Sequence, residues 1–174
     1  MENTIKVFCY GSNMSSKRLK SPDRCPDAVF ICVAELPKYS FSFNKKSTQG
    51  IGSGKGNITL TGNPADKVLG VVFEISKNQE PALDIAEGFN IGHYSKQRIR
   101  VITKEQEIEV IAYIATDPKF INDSEIPFDW YKNHCVKGAI EYNLPKEYIE
   151  FIKSFDSKED SNKKRSEENF NIYN

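Results

Sequence analysis

Up to residue 115 the apolar residues come mostly in short runs rich in Val, Ile, Phe and Tyr; from residue 128 they recur at helical spacing. That order excludes a regular alternation of strand and helix, and with it a doubly wound parallel sheet. It predicts an α+β fold, strands first and helices gathered at the end. The strand candidates are residues 4–10, 28–44 interrupted by Pro37, 58–61 and 68–75. A hairpin is predicted from 94–103 and 107–115, turning at Lys104-Glu105-Gln106. Ile99 and Val101 alternate with Arg98 and Arg100, the period of a half-buried strand. Closure into a barrel cannot be read from this period, because it depends on tilt and register.

The helical signals are shorter. Residues 15–19 suit one brief helix. Ser76 with Gln79 forms a capping-box pattern ahead of Ala82, Leu83 and Ala86, and Gly88 suits the helix end. Over 128–142 Phe128, Tyr131, Cys135 and Ala139 form one stripe; Pro145 then opens a helix carrying Tyr148, Ile149, Ile152 and Phe155. Residues 1–155 read as one domain and 156–174 as a loose polar tail, partly helical, with only Phe170, Ile172 and Tyr173 apolar in its second half.

Composition narrows the function classes. A chain of 174 residues can bury a real core. Its 24 basic and 24 acidic residues cancel, which argues against a nucleic-acid partner, since phosphate binding leaves a basic surplus. Cys9, Cys25, Cys32 and Cys135 form no C-x-x-C pair, and neither His93 nor His134 stands at ligand spacing from them, so no metal site is expected. The start M-E-N-T-I-K has no apolar signal region and no stretch is long enough to cross a membrane. The expectation is a cytoplasmic protein with reduced thiols and no membrane partner.

Four stretches carry candidate chemistry. G-I-G-S-G-K-G at 50–56 fails the phosphate-loop pattern, because Gln49 stands where the first glycine should be and Gly56 follows Lys55. It reads as a mobile loop, with a lid over a site as the functional alternative. Cys9, inside an apolar strand, reads as a buried structural thiol. Ser12 lies in Y-G-S-N-M rather than in a hydrolase elbow, and nothing ties a histidine to it. Tyr10, Gly11, Ser12 and Asn13 at a strand end make either a plain turn or a small nest of backbone N–H groups suited to an anion. Glu87, in L-D-I-A-E-G-F, ends a short helix; it is either an exposed acid or, if partly buried against the helix dipole, a base suited to neutral pH.

Y-G-S-N-M followed by L-D-x-x-E-G-x-x-x-G-x-Y resembles the γ-glutamylcyclotransferases. G-N-I-T-L-T, V-L-G-V-V-F-E-I, V-I-A-Y-I-A and Y-K-N-H-C-V-K-G-A-I-E-Y-N-L-P-K-E-Y follow in the family's order, so the resemblance covers roughly residues 5–155. It implies a closed, mostly antiparallel β-barrel flanked by helices. It also implies cofactor-free release of 5-oxoproline and an amine from a small γ-glutamyl substrate. It would make Glu87 the catalytic acid–base and Tyr10, Gly11, Ser12 and Asn13 the loop on the γ-glutamyl head, with Tyr94 and Tyr113 lining the pocket. A γ-glutamyl amide hydrolase using Ser12 or Cys9, and a non-catalytic binding module of the same fold, stay open at this point, as does a homodimer.

Overall fold

The protein was analysed as a computed structural model, which describes residues 3–49 and 51–174. Seven strands run in chain order: β1 (Thr4–Cys9), β2 (Val29–Pro37), β3 (Tyr39–Lys46), β4 (Gly54–Leu60), β5 (Lys67–Ser76), β6 (Ser95–Ile102) and β7 (Glu107–Ile114). The helices are α1 (Ser16–Leu19), α2 (Glu80–Glu87), α3 (Asp129–Glu141), α4 (Lys146–Ser154) and α5 (Lys163–Asn171).

Five strands close a barrel in the order β1-β5-β2-β6-β7. Four of its pairings are antiparallel, but β1 and β7 run parallel. The barrel is therefore mixed, which corrects the expectation of a mostly antiparallel one. The reason is topological: first and last strands must meet to close the ring, and with this connectivity they point the same way. Strand β5 lies between β1 and β2 and is buried through residues 68–73, which explains its near-continuous apolar run. Phe73 meets Tyr142 edge-on beyond the end of α3, ring centroids 5.5 Å apart, and Tyr142 stacks on Phe30.

The remaining strands, β3 and β4, form a separate two-stranded sheet. The glycine-rich stretch expected as a mobile loop is thus strand from Gly54 onward, because β3 supplies a ladder partner, Lys46 opposite Gly54 and Lys45 opposite Lys55. Gly50, the first glycine of that stretch, lies outside the described residues, as do Met1 and Glu2. The Ser76–Gln79 capping box does not form. Ser76 remains in β5, paired with Thr4, and Gln79 is the N-cap of α2, its side chain donating to Asp27 Oδ2 at 2.7 Å and making no bond to the helix end.

The segment expected as a loose tail carries α5, and polar groups hold it to α3. Asp160 is 1% exposed. It accepts from Trp130 Nε1 at 2.8 Å and from Arg165 Nε and Nη2, each at 2.6 Å. His134 bonds the Tyr173 hydroxyl through Nδ1 at 2.7 Å and Asn169 Oδ1 through Nε2 at 3.0 Å. Burial keeps His134 neutral, with its pKa down at about 3. Arg165 above all, then Trp130, draws the Asp160 carboxyl down to about 2, below its usual range. A depressed carboxylate contributes stability above the unfolded pKa and loses it as pH falls through the folded one. Asp160→Asn should therefore cost about 1.5–3 kcal/mol at neutral pH, the range for charge-assisted bonds. Melting curves at successive pH values check it: the gap to the parent should close as pH falls from about 4 to about 2.

Candidate active site

Strand β1 ends at Cys9, and the next residues turn sharply. Ser12, Asn13 and Met14 make one 3-10 turn, closed by Met14 N–H on Gly11 O at 3.0 Å and Ser15 N–H on Ser12 O at 3.2 Å. Helix α3 clamps this turn from behind. Gly138 lies so close that an added Cβ would stand 2.4 Å from Ser15 N and 2.5 Å from Met14 C.

Opposite the turn, α2 ends at Glu87 because Gly88 adopts the left-handed conformation, φ 68°, with its N–H capping the Asp84 and Ile85 carbonyls. A side chain at Gly88 would also press on Thr48 Cγ2 at 2.7 Å. The half-buried Glu87 carboxylate faces the turn, and Asn13 Nδ2 donates to its Oε1 at 2.6 Å. Residues 74 positions apart in the chain are joined by this bond.

All seven residues singled out in the sequence, Tyr10, Gly11, Ser12, Asn13, Glu87, Tyr94 and Tyr113, line one cavity of about 40 Å³ at the barrel end. The tyrosine hydroxyls around it are buried and mostly committed. Tyr10 donates to the Tyr113 carbonyl, Tyr94 to the Gly56 carbonyl at 2.6 Å, and Tyr113 to Asp84 Oδ1 at 2.6 Å. Lys96 bridges Asp84 and Glu80 at 2.9 and 2.8 Å behind this contact. Burial is the leading cause that raises the pKa of Tyr10, Tyr94 and Tyr113, so all three remain protonated walls.

The cavity shares Ser12, Glu87, Tyr94 and Tyr131 with a wider cleft of about 320 Å³. Tyr131, read in the sequence only as part of an apolar stripe, accepts from Gly56 N–H at 3.1 Å and stands where the two spaces meet. Lys45 and Lys55 also escaped sequence reading. Lys45 Nζ sits 4.5 Å above the Tyr94 ring and Lys55 Nζ 4.0 Å above that of Tyr131. Burial lowers Lys45 to about 8 and Lys55 to about 7. No local sequence pattern marks Lys45, and Lys55 lies in the glycine-rich stretch read above as a loop; what joins them is their pairing across β3 and β4.

A hydrolytic nucleophile finds no support in this geometry. Ser12 Oγ accepts from Arg18 Nε at 3.0 Å, while His134 is engaged with α5 and His93 stacks on Phe120. Burial raises the Cys9 thiol well above its ordinary pKa. Among the described residues there is no cluster of three or more His, Cys, Asp or Glu suited to a metal ion, and no helix is long and apolar enough to cross a membrane.

The class follows from the stretch that runs from β5 through α2 and Glu87 into α4: residues 67–152 match the AIG2-like family. A solved structure described as a γ-glutamyl cyclotransferase superposes with a TM-score of 0.84 at 30% identity, covering 98% of each chain. The γ-glutamylcyclotransferase of Mus musculus is 35% identical over 158 residues, covering 90% of this chain and 81% of its own. That of Homo sapiens is 33% identical, covering 89% and 80%. This chain belongs to the γ-glutamylcyclotransferase family.

Proposed function

We propose that the protein cyclises a γ-glutamyl amine or amino acid to 5-oxoproline and releases the free amine. The observation that carries this reading is the 2.6 Å bond from Asn13 to Glu87, which joins the Y-G-S-N turn to a half-buried carboxylate across one cavity. The reaction needs little else. The substrate's α-amine is nucleophile and its own γ-carbonyl is electrophile, so the protein's work is to hold them in attack geometry. Glu87 accepts the proton as the α-nitrogen bonds the carbonyl carbon. It returns that proton to the departing nitrogen as the original amide bond breaks. No water is consumed.

The turn offers polar contacts to the γ-glutamyl head, and the committed tyrosines give it a rigid wall. Tyr131 accepts from Gly56 N–H, and burial above all keeps its hydroxyl protonated, a donor at the boundary of the two spaces. The test is a product assay. Incubated with a panel of γ-glutamyl amino acids and γ-glutamyl amines and a chelator, the protein should yield 5-oxoproline and the matching free amine in equal amounts by mass spectrometry. Free glutamate would instead indicate hydrolysis, and neither product a binding module; both results would overturn the proposal.

A further inference from the structure

The wider cleft beyond Glu87 is strongly basic in a chain whose charges balance. Arg18, Arg24, Lys45, Lys55 and Arg165 all line it, against a single carboxylate among the described residues, that of Glu87. They arrive from α1, the loop after it, β3, β4 and α5, so no local charge run explains their convergence. Arg165 is neutralised by Asp160 at 2.6 Å. Among the described residues the other four make no ion pair with a carboxylate.

Lys45 is 1% exposed, and Lys55 is held over two rings, at 4.0 Å from Tyr131 and 4.6 Å from Trp130. Aromatic faces attract a cation but carry no net charge to cancel it. Buried cations of this kind are ordinarily paired. A simple γ-glutamyl amino acid brings two carboxylates, one on the head and one on the released amine. Four basic groups without a carboxylate partner exceed that supply, and a further carboxylate beside Lys55, which burial lowers to about 7, would hold it in its charged form.

We infer that the cleft selects substrates whose released amine carries more than one carboxylate, γ-glutamyl-glutamate being the simplest probe. The inference rests on the cyclotransferase reading and refines it. Lys55 and Arg24 act as specificity determinants: they meet the extra carboxylate, while Glu87 and the turn act on the head.

The experiment compares γ-glutamyl-glutamate, γ-glutamyl-alanine and γ-glutamyl-alaninamide by 5-oxoproline release, at low and at high salt. At low salt kcat/KM should rise from the amide to the dicarboxylate by roughly ten- to a hundredfold, the reach of one or two charge-assisted bonds. Added salt should compress that ratio. Lys55→Met should shrink it as well, and Arg24→Gln, on the half-buried rim, supplies the same test should the first variant fold poorly. Equal kcat/KM across the three substrates would overturn the inference while leaving the reaction intact. So would variants that lower all three rates with the ratio unchanged, the mark of a merely structural role. No 5-oxoproline from any of the three would overturn the reaction itself and the inference with it.

Discussion

Glu87→Gln should fold as the parent does, bind a γ-glutamyl substrate with little change in affinity, and lose turnover by about two to four orders of magnitude, the usual reach of general acid–base catalysis. The substituted amide has the same shape, and its oxygen can still accept from Asn13 Nδ2 in place of the present 2.6 Å bond. What it lacks is a site for the proton that must travel from the attacking nitrogen to the departing one. The carboxylate is well situated for both halves of that transfer, since it lines the small cavity and the wider cleft alike. Circular dichroism and a melting curve would establish that the variant is folded, and kcat with substrate affinity would be measured separately. A near-parental kcat would sink the assignment of Glu87. Loss of binding with kcat retained would mean that the residue holds the substrate and does not move its proton.

Gly138→Ala should be damaging out of proportion to one methyl group. The added carbon would lie 2.4 Å from Ser15 N, 2.5 Å from Met14 C and 2.6 Å from Met14 Cβ. Two of these are backbone atoms, which cannot swing away as a side-chain tip can. Overpacking of this kind costs about 1–3 kcal/mol, equivalent for a chain of this size to a melting temperature lower by about 2–12 °C. The effect on activity should be larger. Met14 ends the turn that bears Ser12 and Asn13, and Ser15 follows it, so helix and turn must separate for the methyl group to fit. A displacement of about 1 Å in a positioning group can cost a hundredfold. Reduced kcat/KM with Glu87 untouched is therefore expected; full activity with an unchanged melting temperature would mean that α3 does not set the position of the turn.

The two predictions separate what local chemistry contributes from what packing contributes, and the same line divides what was legible in the chain. The hairpin of β6 and β7 was readable because its signal is local: alternation over residues 98–101 in the first arm, an apolar run in the second and a short polar turn between them. The end of α2 was readable because Gly88 satisfies a local steric demand, a left-handed φ of 68°. Tyr10, Gly11, Ser12, Asn13, Glu87, Tyr94 and Tyr113 were readable as a group through their resemblance to a family, since the local pattern at Y-G-S-N equally described a plain turn.

Other features depended on partners far along the chain. Ser76 and Gln79 have the residue types of a capping box, but the ladder with β1 held Ser76 in a strand. The glycines after residue 53 looked like a loop until β3 supplied hydrogen-bond partners for Gly54 and Lys55. Residues 156–174 lack an apolar stripe, yet Asp160 is buried between Trp130 and Arg165, which gives α5 an anchor that hydrophobic periodicity cannot register.

By itself the sequence determined the α+β order of elements, the helix end at Gly88 and the acid and turn motifs by which the chain resembles its family, because propensity and short motifs act over a few residues. The tertiary structure alone decided the parallel closure of β1 on β7, the docking of α5 and the meeting of Arg18, Arg24, Lys45 and Lys55 in one cleft. Each of these is a contact between residues distant in the chain, and the electrostatic field of such a group depends on separations in space that a neutral overall composition conceals.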